Sequence, residues 1–221
     1  MAPSTMTARE ARIPHGRLTL DGDLVVPDHA SGVVLFAHGS GSSRFSRRNR
    51  YVAGDLQELG LATLLMDLLT ADEERIDQVT AHLRFDIHLL ADRLVAATDW
   101  VRAQPEMSNL PVGYFGASTG AGAALVAAAR PEMVAAVVSR GGRPDLAGDA
   151  LPAVRAPTLL IVGGRDVQVI ALNRTAMQQM RCEKQLTIVP GATHLFEEPG
   201  ALEEVARLAG DWFQQKLATN P

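Results

Sequence analysis

The chain predicts an α/β fold: a doubly wound, mostly parallel sheet of about eight strands with helices on both faces. Three observations carry this expectation. Short apolar runs alternate with stretches of helical periodicity from residue 33 to residue 217, the order of strand–helix–strand units. Several of the runs, at 33–37, 61–66 and 157–162, are apolar enough to read as buried strands. Glycine-bearing turns with polar side chains follow the strand ends, where open α/β sheets hold their ligands.

Residues 1–11 are expected to form a flexible arm ahead of a single domain over 12–221. Arg17-Leu18-Thr19-Leu20 and Leu24-Val25-Val26 flank Asp21-Gly22-Asp23, a hairpin signal that would supply an antiparallel edge. Strand 33–37 leads to a helix over about 47–59, closed by Gly60. Strand 61–66 follows, then an acidic connection over 67–80. From 84 to 104 the pattern is helical: Ile87, Leu90, Leu94, Ala97 and Val101 share one face, and Pro105 ends the run. The remaining elements are strand 111–115, helix 119–129, strand 134–139, an irregular stretch over 141–156, strand 157–162, helix 168–180, strand 184–189 and helix 199–217. Pro199 suits the first turn of the last helix, whose buried stripe is Leu202, Val205, Ala209 and Trp212.

Composition bounds the function. At 221 residues, 47% hydrophobic and 21% charged, the chain can bury a sizeable core. A net charge of −4 gives no reason to expect nucleic acid. One cysteine cannot form an internal disulfide, and a cytoplasmic location is expected. No secretory apolar core opens the chain, and no run reaches the roughly 18 apolar residues of a membrane span. The six histidines lack ligand spacing, so neither metal nor organic cofactor is expected. The sequence assigns no oligomeric state.

The chemistry gathers at four turns. Val112-Gly113-Tyr114-Phe115 runs into Gly116-Ala117-Ser118-Thr119-Gly120 and then into a helix. This is G-x-S-x-G in a strand–turn–helix setting, which lifts the serine hydroxyl off the sheet end. Ser118 is the candidate nucleophile. The strand at 157–162 ends in Gly163-Gly164-Arg165-Asp166, and that at 184–189 ends in Pro190-Gly191-Ala192-Thr193-His194. Asp166 and His194 are the candidate acid and base, 48 and then 28 residues along the chain (118 to 166 to 194). Strand 33–37 ends in His38-Gly39-Ser40-Gly41-Ser42-Ser43, a loop placed to supply half of an oxyanion hole. The backbone N–H groups of Ser40 and Thr119 are the expected donors.

Together these pieces, HGSGSS at 38–43, GASTG at 116–120, GGRD at 163–166 and GATH at 191–194, resemble the α/β-hydrolases, specifically the small, lidless, dienelactone-hydrolase-like group. The likeness runs from about Ile13 to Leu217. It implies a serine hydrolase that cleaves a small carboxylic ester or lactone through an acyl-serine intermediate. Dienelactone hydrolases proper carry cysteine at the elbow; here the position is Ser118, and Cys182 lies in a helix-like stretch. Some relatives resemble domains fused to a phosphoribosyltransferase, for which this chain is too short. Lipase-like relatives insert a cap after the strand that ends here near Ser139. Only residues 141–156 fill that gap, so an open site without a cap domain is expected.

Each assignment has a plainer competitor. Ser118 could cap the helix after it. Asp166 could do the same, with Asp145 as the rival acid. His38 reads as a loop-ordering residue rather than the base. The 38–43 loop lacks the ending of a phosphate-binding P-loop. Four arginines crowd 44–50 where a helix should open, at a cost of about 0.3–1 kcal/mol per charge. Either they pair with the acidic 72–77 stretch or they meet an anionic substrate. Arg47, Arg140 and Arg143 are the candidates for that contact. Acyl transfer to an acceptor other than water, and a non-catalytic binding module on the same scaffold, are the rival functions.

Overall fold

The computed structural model describes residues 6–130 and 134–218. Strands β1 (Met6–His15), β2 (Leu18–Pro27), β3 (Val33–Ala37), β4 (Ala62–Met66), β5 (Val112–Ala117), β6 (Ala136–Arg140), β7 (Thr158–Gly163) and β8 (Lys184–Val189) form one sheet. Their order across it is β1-β2-β4-β3-β5-β6-β7-β8. From β4 to β8 every pairing is parallel, and β1 and β2 form the antiparallel edge.

The edge corrects two expectations. Residues 6–11 are not an arm but the first part of β1, paired with β2 from Met6↔Pro27 onward; residues 1–5 lie outside those described. The hairpin turns at Gly16-Arg17, with Gly16 at φ +61°, and not at Asp21-Gly22-Asp23. That tripeptide runs straight through β2, where Gly22 faces Ala11 on one side and Met66 on the other. A methyl at Gly22 would stand 3.2 Å from the Leu65 carbonyl, so this glycine serves close strand approach.

Helices α1 (Arg47–Glu58) and α6 (Ala201–Leu217) cover one face; α3 (Ile87–Arg102), α4 (Thr119–Ala128) and α5 (Val167–Gln179) cover the other, with α2 (Ala71–Thr80) at the side. Two cores result. In β3, Val33, Leu35 and Ala37 enter the first while Val34 and Phe36 enter the second, the period-two division of a strand buried on both faces. The predicted α3 stripe, Ile87 to Val101, is buried throughout. Helix α6 starts later than expected: Pro199 precedes it, and Gly200, at φ +80°, is its cap.

Helix α2 lies inside the expected connection. Its signal was present as Thr70-Ala71-Asp72-Glu73, a capping box in which Thr70 N–H donates to Glu73 Oε2 (2.8 Å) and Glu73 N–H to Thr70 Oγ1 (3.3 Å). Buried Arg93 of α3 bonds that same Glu73 and the Leu68 carbonyl, tying α2 to the sheet end. The 141–156 gap holds only short 3₁₀ turns, Pro144–Ala153, and no cap domain occurs among the described residues.

The elbow glycines set a stability contrast. A methyl at Gly120 would sit 2.3 Å from the Ala37 carbonyl oxygen and 2.4 Å from that of His38. Gly54, mid-helix in α1, has open space where a methyl would go. Gly120→Ala is expected to lower stability by about 3 kcal/mol, and Gly54→Ala to raise it by about 0.5–1 kcal/mol. Chemical denaturation of both variants checks the opposite signs.

Candidate active site

Ser118 joins β5 to α4 at φ 51°, ψ −121°, a conformation a residue with a Cβ rarely adopts. Strain of this kind costs about 1–3 kcal/mol and persists where surrounding contacts over-determine it. Here they do. Ser118 N–H donates to the Arg140 carbonyl (3.2 Å), and its own carbonyl accepts from Ala121 (3.1 Å) and Arg143 (3.0 Å) N–H. The Ser118 hydroxyl makes no capping bond to α4. The plainer reading of this serine, a helix cap, is therefore not what the side chain does.

The tips of β7 and β8 are stitched together. Gly164 N–H donates to the Val189 carbonyl (2.8 Å) and Arg165 N–H to that of Ala192 (2.9 Å). Across this seam His194 Nδ1 lies 2.6 Å from Asp166 Oδ2. A carboxylate only accepts, so Nδ1 carries a proton, and Nε2 is the acceptor when the ring is neutral. Asp166 makes no side-chain capping bond to α5. The rival acid, Asp145, is held by Arg143 through bonds of 2.9 and 2.7 Å.

His38 is committed elsewhere. Its Nε2 accepts from Leu68 N–H (3.0 Å), so Nδ1 bears the proton and donates to the Gly39 carbonyl (2.9 Å). Burial pushes its pKa down, which keeps the ring neutral. In the same loop Ser40 N–H donates to Thr119 Oγ1 at 2.8 Å. A methyl on Gly39 would stand 3.1 Å from Ser118 Cβ, so the loop lies directly against the elbow. Thr119 N–H is the first amide of α4, one of those a helix leaves without an internal partner.

A cavity of about 250 Å³ brings Ser118, His194, Ser40, Arg48, Asn49 and Arg140 together. Of the three arginines proposed from sequence, only Arg140 reaches it. Arg143 is taken up by Asp145, and Arg47 is exposed and outside this lining. Arg48 stands in its place. The signal was helical spacing: Arg48, Val52 and Leu56 fall at steps of four, and the latter two are buried on α1's inner face. The other arginines of 44–50 pair not with 72–77 but with earlier acids: Arg44 with Asp67 and Asp23, Arg50 with Asp23 (2.7 Å).

Arg140 is 6% exposed and has no carboxylate partner among the described residues. Its Nε is unpartnered, Nη2 reaches Asn49 Oδ1 only at 3.4 Å, and the guanidinium lies 5.9 Å from the Phe196 ring centre. Burial and then the Arg48 charge push its pKa down to about 10. Arg48 likewise has a bare Nε, and its one ion pair, with Glu197 at 3.2 Å, is largely exposed. Two cations thus face a small cavity with no anion between them.

The chain belongs to the dienelactone hydrolase family, whose model matches residues 20–218. It is similar to a dienelactone hydrolase from Anabaena variabilis, with 63% identity, coverage of 96% of this chain and 99% of that one, and a TM-score of 0.94. Two curated proteins from two strains of Mycobacterium tuberculosis, each named "putative phosphoribosyl transferase", are 62% identical over 209 residues. Those residues are 94% of this chain and 46% of each relative, so the chain spans about half the length of the curated relatives it matches. Est1E from Butyrivibrio proteoclasticus shares the fold at 17% identity, covering 95% of this chain and 99% of that one, with a TM-score of 0.78.

An unpaired buried cation carries a stability signature. Its folded pKa lies below the unfolded one, so the charge opposes folding throughout neutral pH and ceases to do so only above about pH 10. Arg140→Met is expected to stabilise the protein by about 1–2 kcal/mol, read as a rise of several degrees in Tm at pH 7.

Proposed function

We propose that this member of the dienelactone hydrolase family hydrolyses a small carboxylic ester or lactone through an acyl-Ser118 intermediate. The observation that carries the reading is the His194–Asp166 bond of 2.6 Å, beside a Ser118 hydroxyl that caps nothing in the same cavity. His194 Nε2 takes the Ser118 proton as the oxygen attacks the carbonyl carbon. Asp166 fixes the ring and stabilises the imidazolium. Thr119 N–H at the start of α4 holds the oxyanion while the tetrahedral intermediate exists, and Ser40 N–H joins it on leaving Thr119 Oγ1. His194 then protonates the departing alkoxide. Water, deprotonated by the same ring, attacks the acyl ester and releases the acid.

The substrate carries an anionic group beside its acyl function. Arg140 and Arg48 supply the charge, and the small cavity favours a short acid over a long aliphatic chain. An incoming carboxylate gives Arg140 the partner it lacks, and charge-assisted bonds in a desolvated pocket are strong.

Two measurements test this. Ser118→Ala should abolish both p-nitrophenyl acetate hydrolysis and fluorophosphonate labelling. Asp166→Asn should lower kcat by about 10³–10⁴, while Asp145→Asn stays near the parent rate; equal losses at the two acids would defeat the assignment. For the anion, kcat/KM is compared on a neutral ester and on one bearing a carboxylate. Arg140→Met and Arg48→Met should each lose about 10–100-fold more on the charged ester, from a bond of about 1.5–3 kcal/mol. Parallel losses on both esters would remove the arginines from substrate recognition.

A further inference from the structure

Two rules of local stability favour an acid at position 49, and the chain has an amide there. Ser46 caps α1, and Asn49 N–H donates to Ser46 Oγ at 3.3 Å, so Asn49 is the third residue of the helix. Carboxylates are favoured at that position because they offset the positive pole of the helix start. Yet the first turn of α1 contains no acid, only Asn49 among Arg47, Arg48 and Arg50. The second rule is charge pairing. Across 91 residues of sequence, Arg140 Nη2 approaches Asn49 Oδ1 at 3.4 Å. Asn49 is 2% exposed and Arg140 6%. An aspartate of the same shape would give this buried guanidinium the carboxylate it lacks. The amide also retains an unused donor. A guanidinium only donates, so Oδ1 is the branch that faces Arg140, and Nδ2 keeps two hydrogens. Nδ2 has no partner among the described hydrogen bonds, and it is not one of the polar atoms sealed from solvent. Asn49 lines the cavity shared by Ser118, His194, Arg48 and Arg140, and no carboxylate of the described residues lines it.

We propose that Asn49 is a specificity-determining residue: a neutral amide, placed where an acid would fold better, that leaves Arg140 unpaired and adds its Nδ2 as a donor to the substrate's carboxylate. This inference rests on the anionic-substrate reading above. In the free protein the long Oδ1 contact orients Arg140 and neutralises nothing. An incoming carboxylate then accepts from the guanidinium and from Nδ2 together, and hydrogen bonds to an ionised acceptor are the strong ones. An acid at position 49 would work against that substrate twice. It would pair with Arg140 beforehand, and it would repel the arriving charge. The departure from the helix-start preference therefore falls at a residue of the cavity, where a local stability rule is given up for recognition.

The test compares Asn49→Asp, which keeps shape and adds the charge, with Asn49→Leu, which removes the donor and adds none. The readouts are kcat/KM on the neutral p-nitrophenyl acetate and on the anionic mono-p-nitrophenyl glutarate, and Tm. Asn49→Asp should lose about 10–100-fold more on the glutarate ester than on the acetate, while its Tm at pH 7 rises above the parent's. Asn49→Leu should lose about 3–10-fold more on the glutarate ester. A merely structural asparagine would move Tm and shift both esters together. If Asn49→Asp fails to fold, Asn49→Leu is judged on the same comparison. Equal losses on the two esters in the folded variants, or a Tm of Asn49→Asp below the parent's, overturn the role of Asn49. If Arg140→Met still separates the esters in that case, the anionic-substrate reading stands without Asn49. If Arg140→Met and Arg48→Met also lose equally on both, that reading fails and this inference with it.

Discussion

At the tip of β7 the backbone of Gly163 lies so close to the next loop that a methyl there would sit 2.5 Å from the carbonyl oxygens of both Ala192 and Thr193. The bond between His194 and Asp166 depends on that approach. The β7 and β8 loops are zipped by backbone bonds on either side of it, so the imidazole and the carboxylate are fixed by main chain rather than by their own side-chain packing. Gly120 plays the corresponding part at the elbow, bringing α4 against the end of β3. Gly116 differs in its reason: a methyl there would strike Ala121 of α4 itself, 2.4 Å from its Cα, so it is the sharpness of the turn rather than a neighbouring strand that excludes a side chain. Three strand tips are thereby held within reach of one cavity.

The fold carries unfavourable free energy in this region. Ser118 sits at positive φ, Arg140 is a buried cation without a carboxylate, and Arg48 adds a second positive charge beside it. None of these stabilises the folded chain. Each is sustained by ordinary structure nearby: the three backbone bonds around Ser118, the parallel ladder of β5 and β6, the buried Phe196 under the guanidinium. A site that stabilises a developing negative charge needs donors and cations that are poorly satisfied before the substrate arrives. On the proposed hydrolase reading, the strain at Ser118 and the unpaired Arg140 are two forms of that preorganisation.

Much of this was legible in the sequence, and the failures are instructive. The parallel strands and the α3 stripe were readable from their apolar periodicity, and the turns bearing Ser118 and Asp166 because an apolar run meets a glycine at a close approach; Gly191, ahead of His194, instead takes a positive φ. The antiparallel edge was misread, because Asp-Gly signals a hairpin whether the glycine makes a turn or merely lets strands approach; Gly22 does the second and Gly16 the first. Helix α2 was missed although its capping box was written at Thr70 and Glu73, because its own apolar face is weak: Ile76 and Val79 are exposed, and Asp77 is buried instead. Arg47 was chosen over Arg48 by composition, where the period of α1 distinguishes them. The Ser40–Thr119 bond had no sequence signal at all, since it joins two loops whose proximity only the folded sheet creates.

The charge pattern around the cavity narrows what can enter. Acids are plentiful in the sequence, yet those near the arginine-rich start of α1 are occupied: Asp67 and Asp23 by Arg44, Asp23 again by Arg50. Of the cations facing Ser118, Arg140 has no carboxylate partner among the described residues, and Arg48 pairs with the exposed Glu197. On the proposed reading, the substrate's anionic group gives Arg140 the partner it lacks. That group would lie against Arg140 of β6 and Arg48 of α1, while Ser118 and Ser40 line the same cavity from the ends of β5 and β3. A molecule that bridges them must carry its acyl carbon a short distance from its charge. On the proposed reading, that requirement favours a compact carboxylate-bearing ester or lactone over a molecule whose charge and acyl carbon lie far apart.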